Sequence, residues 1–347
     1  MTSYRRGNHF YGAVFALLGL LLLSLLLSLA YGAFKIPLYD VYAALLSRDG
    51  VSENYRLIVE SIRLPRALLA MCIGALLGIT GVVTQGLFRN PLADPSLIGV
   101  TAGAAVGAST TLFFLAGSSM SLAASVGAFS IVAIGAFCGA IVTVWLVYRL
   151  ATNRQGTSVS TMLLVGIAIT ALAASVTGFL DYAANDEGLR RMSLWRMGSL
   201  NGATWSQVAV SSLLLVLLLL AFSTIGVSLN AMLLGESEAR HLGIDTQALK
   251  RQVMFWVALG VGVSVALAGM ISFVGLIIPH LMRLLLGPDH RFLLPASALA
   301  GACLLVLADT ASRLVLAPAE VPIGLLTALL GAPFFLVLLM TRRSYDF

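Results

Sequence analysis

Charge is what this chain has least of. Only 10% of its 347 residues are Asp, Glu, Lys or Arg, where a water-soluble domain carries about 25%. That shortage excludes an ordinary globular enzyme. It also removes the usual reading of a formal net charge of +6 as a sign of nucleic acid, because Arg-rich loops at a membrane surface account for it. Lysine is scarcer still: Lys35 and Lys250 are the whole supply, and neither follows a glycine. A phosphate-cradling loop of the form G-x-x-x-x-G-K-[ST] therefore cannot be built, and any ATP and Mg must be held by another polypeptide. Cys72, Cys138 and Cys303 lie in separate apolar stretches without metal-ligand spacing, which reads them as small core residues. No His/Glu cluster, paired carboxylates or nucleophile–base pair is legible, so the sequence offers no metal site, no cofactor and no catalytic residues.

What remains is hydrophobic, 59% of the chain, in ten stretches separated by short polar interruptions. A hydrocarbon layer about 30 Å thick takes roughly 20 apolar helical residues to cross. The pattern predicts helices over 11–32, 65–86, 96–116, 123–148, 160–182, 205–224, 251–268, 270–285, 293–312 and 322–341. The expected fold is all-α: one polytopic transmembrane domain over residues 1–347, with about ten transmembrane helices and short cytoplasmic coupling helices. The apolar run after Arg5 and Arg6 exceeds a signal-peptide core and reads as an uncleaved first helix. An even helix count puts both termini on one side, and Arg5, Arg6, Arg342 and Arg343 argue for the cytoplasm. The alternating loops then divide the bases only 12 inside to 9 outside, a weak bias that leaves Arg on the outer face for a purpose.

Glycines spaced by four recur within the helices: Gly74 and Gly78, Gly99, Gly103 and Gly107, and Gly135 and Gly139. Such faces let helix backbones approach closely where lipid supplies no hydrophobic drive. The longest polar insert on the expected inner side, about 228–250, contains Gly235 to Gly243, with alanine and leucine at helical spacing. It is too polar to cross lipid and too poor in Lys and Arg for a lipid-surface helix. It reads as one or two short helices against a partner. On the outer side, Asp181 to Trp205 carries Tyr182, Trp195 and Trp205, interfacial anchors, together with Arg190, Arg191 and Arg196.

Arg63 and Arg66 flank Pro65 at an expected helix start, where positive charge opposes the macrodipole. That placement invites either snorkelling to lipid phosphates or an outside partner. Asp309 precedes Arg313 by four residues, the order that favours an ion pair. Asn90 to Pro95, with two prolines, stops both flanking helices and fixes a turn.

Arg63-Leu64-Pro65-Arg66, Arg89 to Pro95, Gly99 to Gly103, Gly235 to Gly243, Phe273 to His280, Gly287 to Arg291 and Pro318 to Phe335 occur in this order. Together they resemble the permease subunits of type II ABC importers, the FecCD/BtuC-like proteins that carry iron-siderophores, haem and cobalamin. The wording of the C-terminal third is most similar to the haemin permeases of that family. The resemblance implies a second copy of the chain, two ABC ATPase subunits, a periplasmic substrate-binding protein and a bacterial inner membrane. It implies docking of the binding protein at Arg63, Arg66 and Arg313, the last oriented by its structural pair with Asp309. It implies a cytoplasmic gate at Asn90 and Leu92, with Ser160 and Thr161 as an approximate second match. It further implies ATPase coupling through Gly235, Glu236, Glu238, Ala239, Arg240, Leu242 and Gly243. Charge pairing would fall to Glu236, Glu238 and Arg240, packing to Ala239 and Leu242. His280 reads as a hydrogen-bonding group near a helix end rather than a haem ligand. Within the family, ferric siderophores and cobalamin stand as alternative cargoes. Outside it, an ion-coupled secondary transporter would need more intramembrane charge than Asp309 supplies.

Overall fold

The computed structural model describes residues 2–46, 52–116, 128–154 and 156–343. Among these, seven helices are long and apolar enough to cross a membrane, and three shorter apolar helices, Val100–Leu115, Val274–Leu286 and Ile323–Leu338, lie in the order expected of the other spans. The protein is an all-α polytopic membrane protein. Read by contacts, the chain gathers into two units, the first from residues 1–79, 199–222 and 272–347, the second from 80–198 and 223–271.

The first unit opens with α1 (Thr2–Ala30), then α2 (Leu38–Leu45) and α3 (Glu53–Leu57). Leu29, Ala30, Ile36, Val41, Ala44 and Val59 close a small apolar core where α1 ends. The chain does not start a new helix at Pro65, as the sequence suggested. It arrives already helical through a wider π-type turn, Ile58–Arg63, into α4 (Leu64–Phe88). A π turn relaxes the ladder near the point where proline lacks its donor. Arg63 and Arg66 are therefore not at a helix N-terminus, and the macrodipole argument against them falls away.

The later helices are α5 (Val100–Ala116), α6 (Ala128–Leu150), α7 (Val159–Ala183), α8 (Asp186–Arg196) and α9 (Trp205–Met232). They are followed by α10 (Glu236–His241), α11 (Thr246–Ala268), α12 (Val274–Leu286), α13 (His290–Leu314) and α14 (Ile323–Arg343). In the first unit the glycine face of α4 meets α13. A side-chain carbon at Gly74 would collide with the Gly301 carbonyl oxygen, and one at Gly78 with that of Ser297.

The second unit repeats the device. Gly103 and Gly107 of α5 abut the backbone of Gly139 and Gly135 in α6. A two-residue antiparallel hairpin, Thr152–Asn153 with Gly156–Thr157, joins α6 to α7 and was not anticipated. Cys72 and Cys303 are buried as expected, but Cys138 is exposed on the surface of α6.

Candidate functional site

The polar insert is shorter than the expected 228–250. Residues through Met232 complete α9, and Thr246 already begins α11. Between them Gly235, at φ 127°, and Gly243, at φ 84°, bracket α10 in conformations that L side chains rarely adopt. A six-residue helix is too short to persist alone, and this one is pinned from within. Both Glu236 carboxylate oxygens lie 2.8 Å from Lys250 Nζ, and Arg240 Nη2 donates to the same carboxylate at 2.6 Å. Lys250 Nζ also donates to the Thr157 carbonyl at 2.6 Å, and Gln247 Oε1 accepts from the Thr157 N–H at 2.8 Å. The ammonium thereby ties together α10, α11 and the hairpin, with the Lys250 side chain only 1% exposed. Burial pushes the Glu236 carboxyl up, but Lys250 and Arg240 outweigh it and hold the group below its ordinary value.

This geometry gives two of the expected coupling residues internal partners. Glu236 spends its charge on Lys250 and Arg240, and Ala239 is fully buried inside the chain. A buried ammonium occupies the one and close packing the other. Glu238, the Arg240 side chain, His241 and Leu242 are exposed and form the face that α10 presents.

Arg63, Arg66 and Arg313 do converge, but as buried groups, each 6% exposed. Arg66 Nε donates to Asp309 Oδ1 at 2.9 Å, and its Nη1 reaches the Glu320 carboxylate at 3.0 Å. The expected Asp309–Arg313 pair is present, Nε to Oδ2 at 3.2 Å. Arg313 also donates to the carbonyl and hydroxyl of Ser28, and Arg63 to the carbonyls of Leu29 and Phe34. Ser28 and Leu29 carry two of the carbonyls that α1 leaves unsatisfied at its C-terminal end, where the macrodipole favours cations. Arg63 and Arg313 cap α1. The three groups are buried rather than free on the surface, and among the described residues two carboxylates face three guanidinium groups, leaving one positive charge in excess.

The turn after α4 also has a geometry of its own. Arg89 takes φ 49°, the Asn90 side-chain oxygen accepts from the Leu92 N–H at 2.9 Å, and the Asp94 carboxylate caps the Pro95–Ile98 turn through the Ser96 N–H at 2.8 Å. Burial raises the Asp94 carboxyl above its usual range, against the opposing pull of Ser96. Ser158 caps α7 by accepting from the Thr161 N–H, leaving Ser160 exposed in the first turn. A side-chain carbon at Gly166 would meet the Leu97 carbonyl, so α7 packs directly on the turn that follows Leu92.

The sequence profile of the FecCD transport family matches residues 20–341. This chain belongs to the FecCD transport family. Accordingly it is an ABC-transporter permease. It is 41% identical over 330 residues, 94% of this chain and 96% of the relative, to the hemin transport system permease protein HmuU of Yersinia pestis. It is 43% identical over 319 residues to the cobalamin import system permease protein BtuC of Halobacterium salinarum, covering 90% of this chain and 81% of that one. A metal-chelate type ABC transporter solved in an inward-facing conformation superposes with TM-score 0.80 at 33% identity, over 94% of this chain and 98% of that chain.

Within this FecCD permease, three charged residues that brace these elements escaped the sequence reading. Lys250 was visible only as one of two lysines, though its position one turn into an apolar helix was the available signal. Glu320 lies in an irregular segment, where no periodicity links it to Arg66. Asp181 pairs with Arg196 at 2.8 Å, joining the end of α7 to α8 within the stretch read as interfacial anchors.

Proposed function

We propose that the chain is the membrane-spanning subunit of a binding-protein-dependent importer of haem across a bacterial inner membrane. Two copies frame one pathway, two separate ATPase subunits supply the drive, and both termini lie in the cytoplasm. The observation that carries this reading is α10: a short polar helix, braced through Glu236 and Lys250, that turns Glu238, His241 and Leu242 outward. A chain with no phosphate-cradling loop receives its motive force through such a face. The 41% identity to a hemin permease supports haem as cargo, and the 43% identity to a cobalamin permease makes cobalamin the second reading. The uncompensated positive charge among Arg63, Arg66 and Arg313 suits an acidic group of the binding protein. In the turn around Asn90 and Leu92, with Ser160 and Thr161 in the first turn of α7, the fixed backbone suits a gate.

Reconstitution with its ATPase and binding protein tests the reading. Haem-stimulated ATP hydrolysis and uptake are expected, exceeding those with a ferric siderophore or cobalamin. Preferential uptake of cobalamin transfers the assignment to the second cargo. Cargo accumulation by the chain alone refutes the coupling.

A further inference from the structure

An apolar groove on the second unit lies outside everything assigned above. It occupies about 290 Å³ between α6 and α11. Ile141, Val144, Trp145 and Tyr148 come from one helix, and Arg251, Met254, Phe255 and Ala258 from the other. Both sets follow the spacing i, i+3, i+4, i+7, so two helical stripes diverge to form the groove. Val144, Met254 and Ala258 are buried at its floor, while Trp145 and Phe255 are 59% and 55% exposed at its rim.

The groove is polar at one end only. Tyr148 lies two residues before α6 ends and Arg251 in the second turn of α11, at the depth where aromatic rings and arginines meet headgroups. From there to Ile141 and Ala258 it runs about 10 Å along the helices into the apolar layer. Arg251 is exposed and makes no ion pair among the described residues; nor does the neighbouring exposed Arg149.

We infer that this groove binds an anionic phospholipid, with an acyl chain between α6 and α11 and the headgroup phosphate on Arg251. An acyl chain matches the dry floor, and a phosphate supplies the negative charge that the chain itself does not place beside Arg251.

The test is native mass spectrometry of the full chain in detergent, titrated with palmitoyl-oleoyl phosphatidylglycerol or with phosphatidylcholine bearing the same acyl chains. Both lipids carry a phosphate, but choline offsets its charge; retention of phosphatidylglycerol is therefore expected to exceed that of phosphatidylcholine about fivefold, the attraction of one Arg to an anionic lipid surface. Arg251→Ala, an exposed substitution, is expected to erase that preference while weak binding persists. Ala258→Phe, which fills the floor, is expected to reduce both lipids. Equal retention of the two lipids by the unsubstituted chain overturns the proposal, as does an unchanged preference in Arg251→Ala. Loss of association between copies in Ala258→Phe, with lipid retention intact, also overturns it and makes the groove a subunit contact. None of these readouts depends on transport, so they stand apart from the cargo assignment.

Discussion

Replacing Glu236 by alanine strands the Lys250 ammonium. That group is buried and has the Glu236 carboxylate 2.8 Å away and the Thr157 carbonyl 2.6 Å away. Removing the carboxylate leaves one neutral acceptor for a charge taken out of water. Breaking a buried pair in this way costs about 3–5 kcal/mol, whereas replacing both partners by apolar groups of similar volume is often close to neutral. Glu236→Ala should therefore lower the thermal unfolding midpoint in detergent sharply, and Glu236→Leu combined with Lys250→Met should recover most of the loss. The pair also sets an acid limit. With its carboxyl held below the ordinary 4.5, Glu236 contributes stability that is present above that value and lost as pH falls through its folded value. The double variant should lack this component. Tryptophan fluorescence during heating, at pH 7 and near pH 4, reads both effects. If Glu236→Ala unfolds where the double variant does, the ammonium is not stranded and the clamp is not what holds α10.

Glu238→Arg and Leu242→Asp alter only the exposed face of α10, so unfolding should move by less than about 0.5 kcal/mol. ATP turnover should nonetheless separate from uptake in proteoliposomes; normal coupling would place the contact elsewhere. Asp309→Asn leaves Arg66 and Arg313 short of a shared buried carboxylate and should cost about 3–5 kcal/mol, read as a lowered unfolding midpoint. Gly74→Leu pushes a side chain into the Gly301 carbonyl and should destabilise by about 1–3 kcal/mol or more, while the same change at Gly12, which has open space, should be neutral. For Asp94, burial raises the folded value above the ordinary 3.8. Its contribution is complete below that and declines as pH rises through the folded value, so Asp94→Asn should flatten the loss of stability as pH rises above about 4 in a thermal scan.

The ten apolar stretches were readable because a span needs length and low polarity, and both are properties of contiguous sequence. Gly74 and Gly78 were readable for the same reason: spacing by four defines a helix face. Their partner on α13 was not, since Gly301 and Ser297 lie more than 200 residues away and nothing local couples them. The same limit governed the site. Asp309 and Arg313 share one helix and were paired correctly from spacing. The links from Arg66 to Asp309 and Glu320, and from Lys250 to Glu236, cross between elements. Burial was the other hidden variable. Arg63, Arg66 and Ala239 carry no sign in the sequence that they turn inward, and the family resemblance that suggested docking and coupling roles is silent on burial.

The guanidinium cap on α1 has a consequence for how the chain is made. The first helix to leave the ribosome receives part of its cap from a residue 285 positions later. Until α13 has been inserted, the carbonyls of Ser28 and Tyr31 lack their partner in Arg313. Synthesis thus delivers the latch for the earliest helix nearly last, and a nascent chain cut short before Arg313 would hold its first span without that fastening.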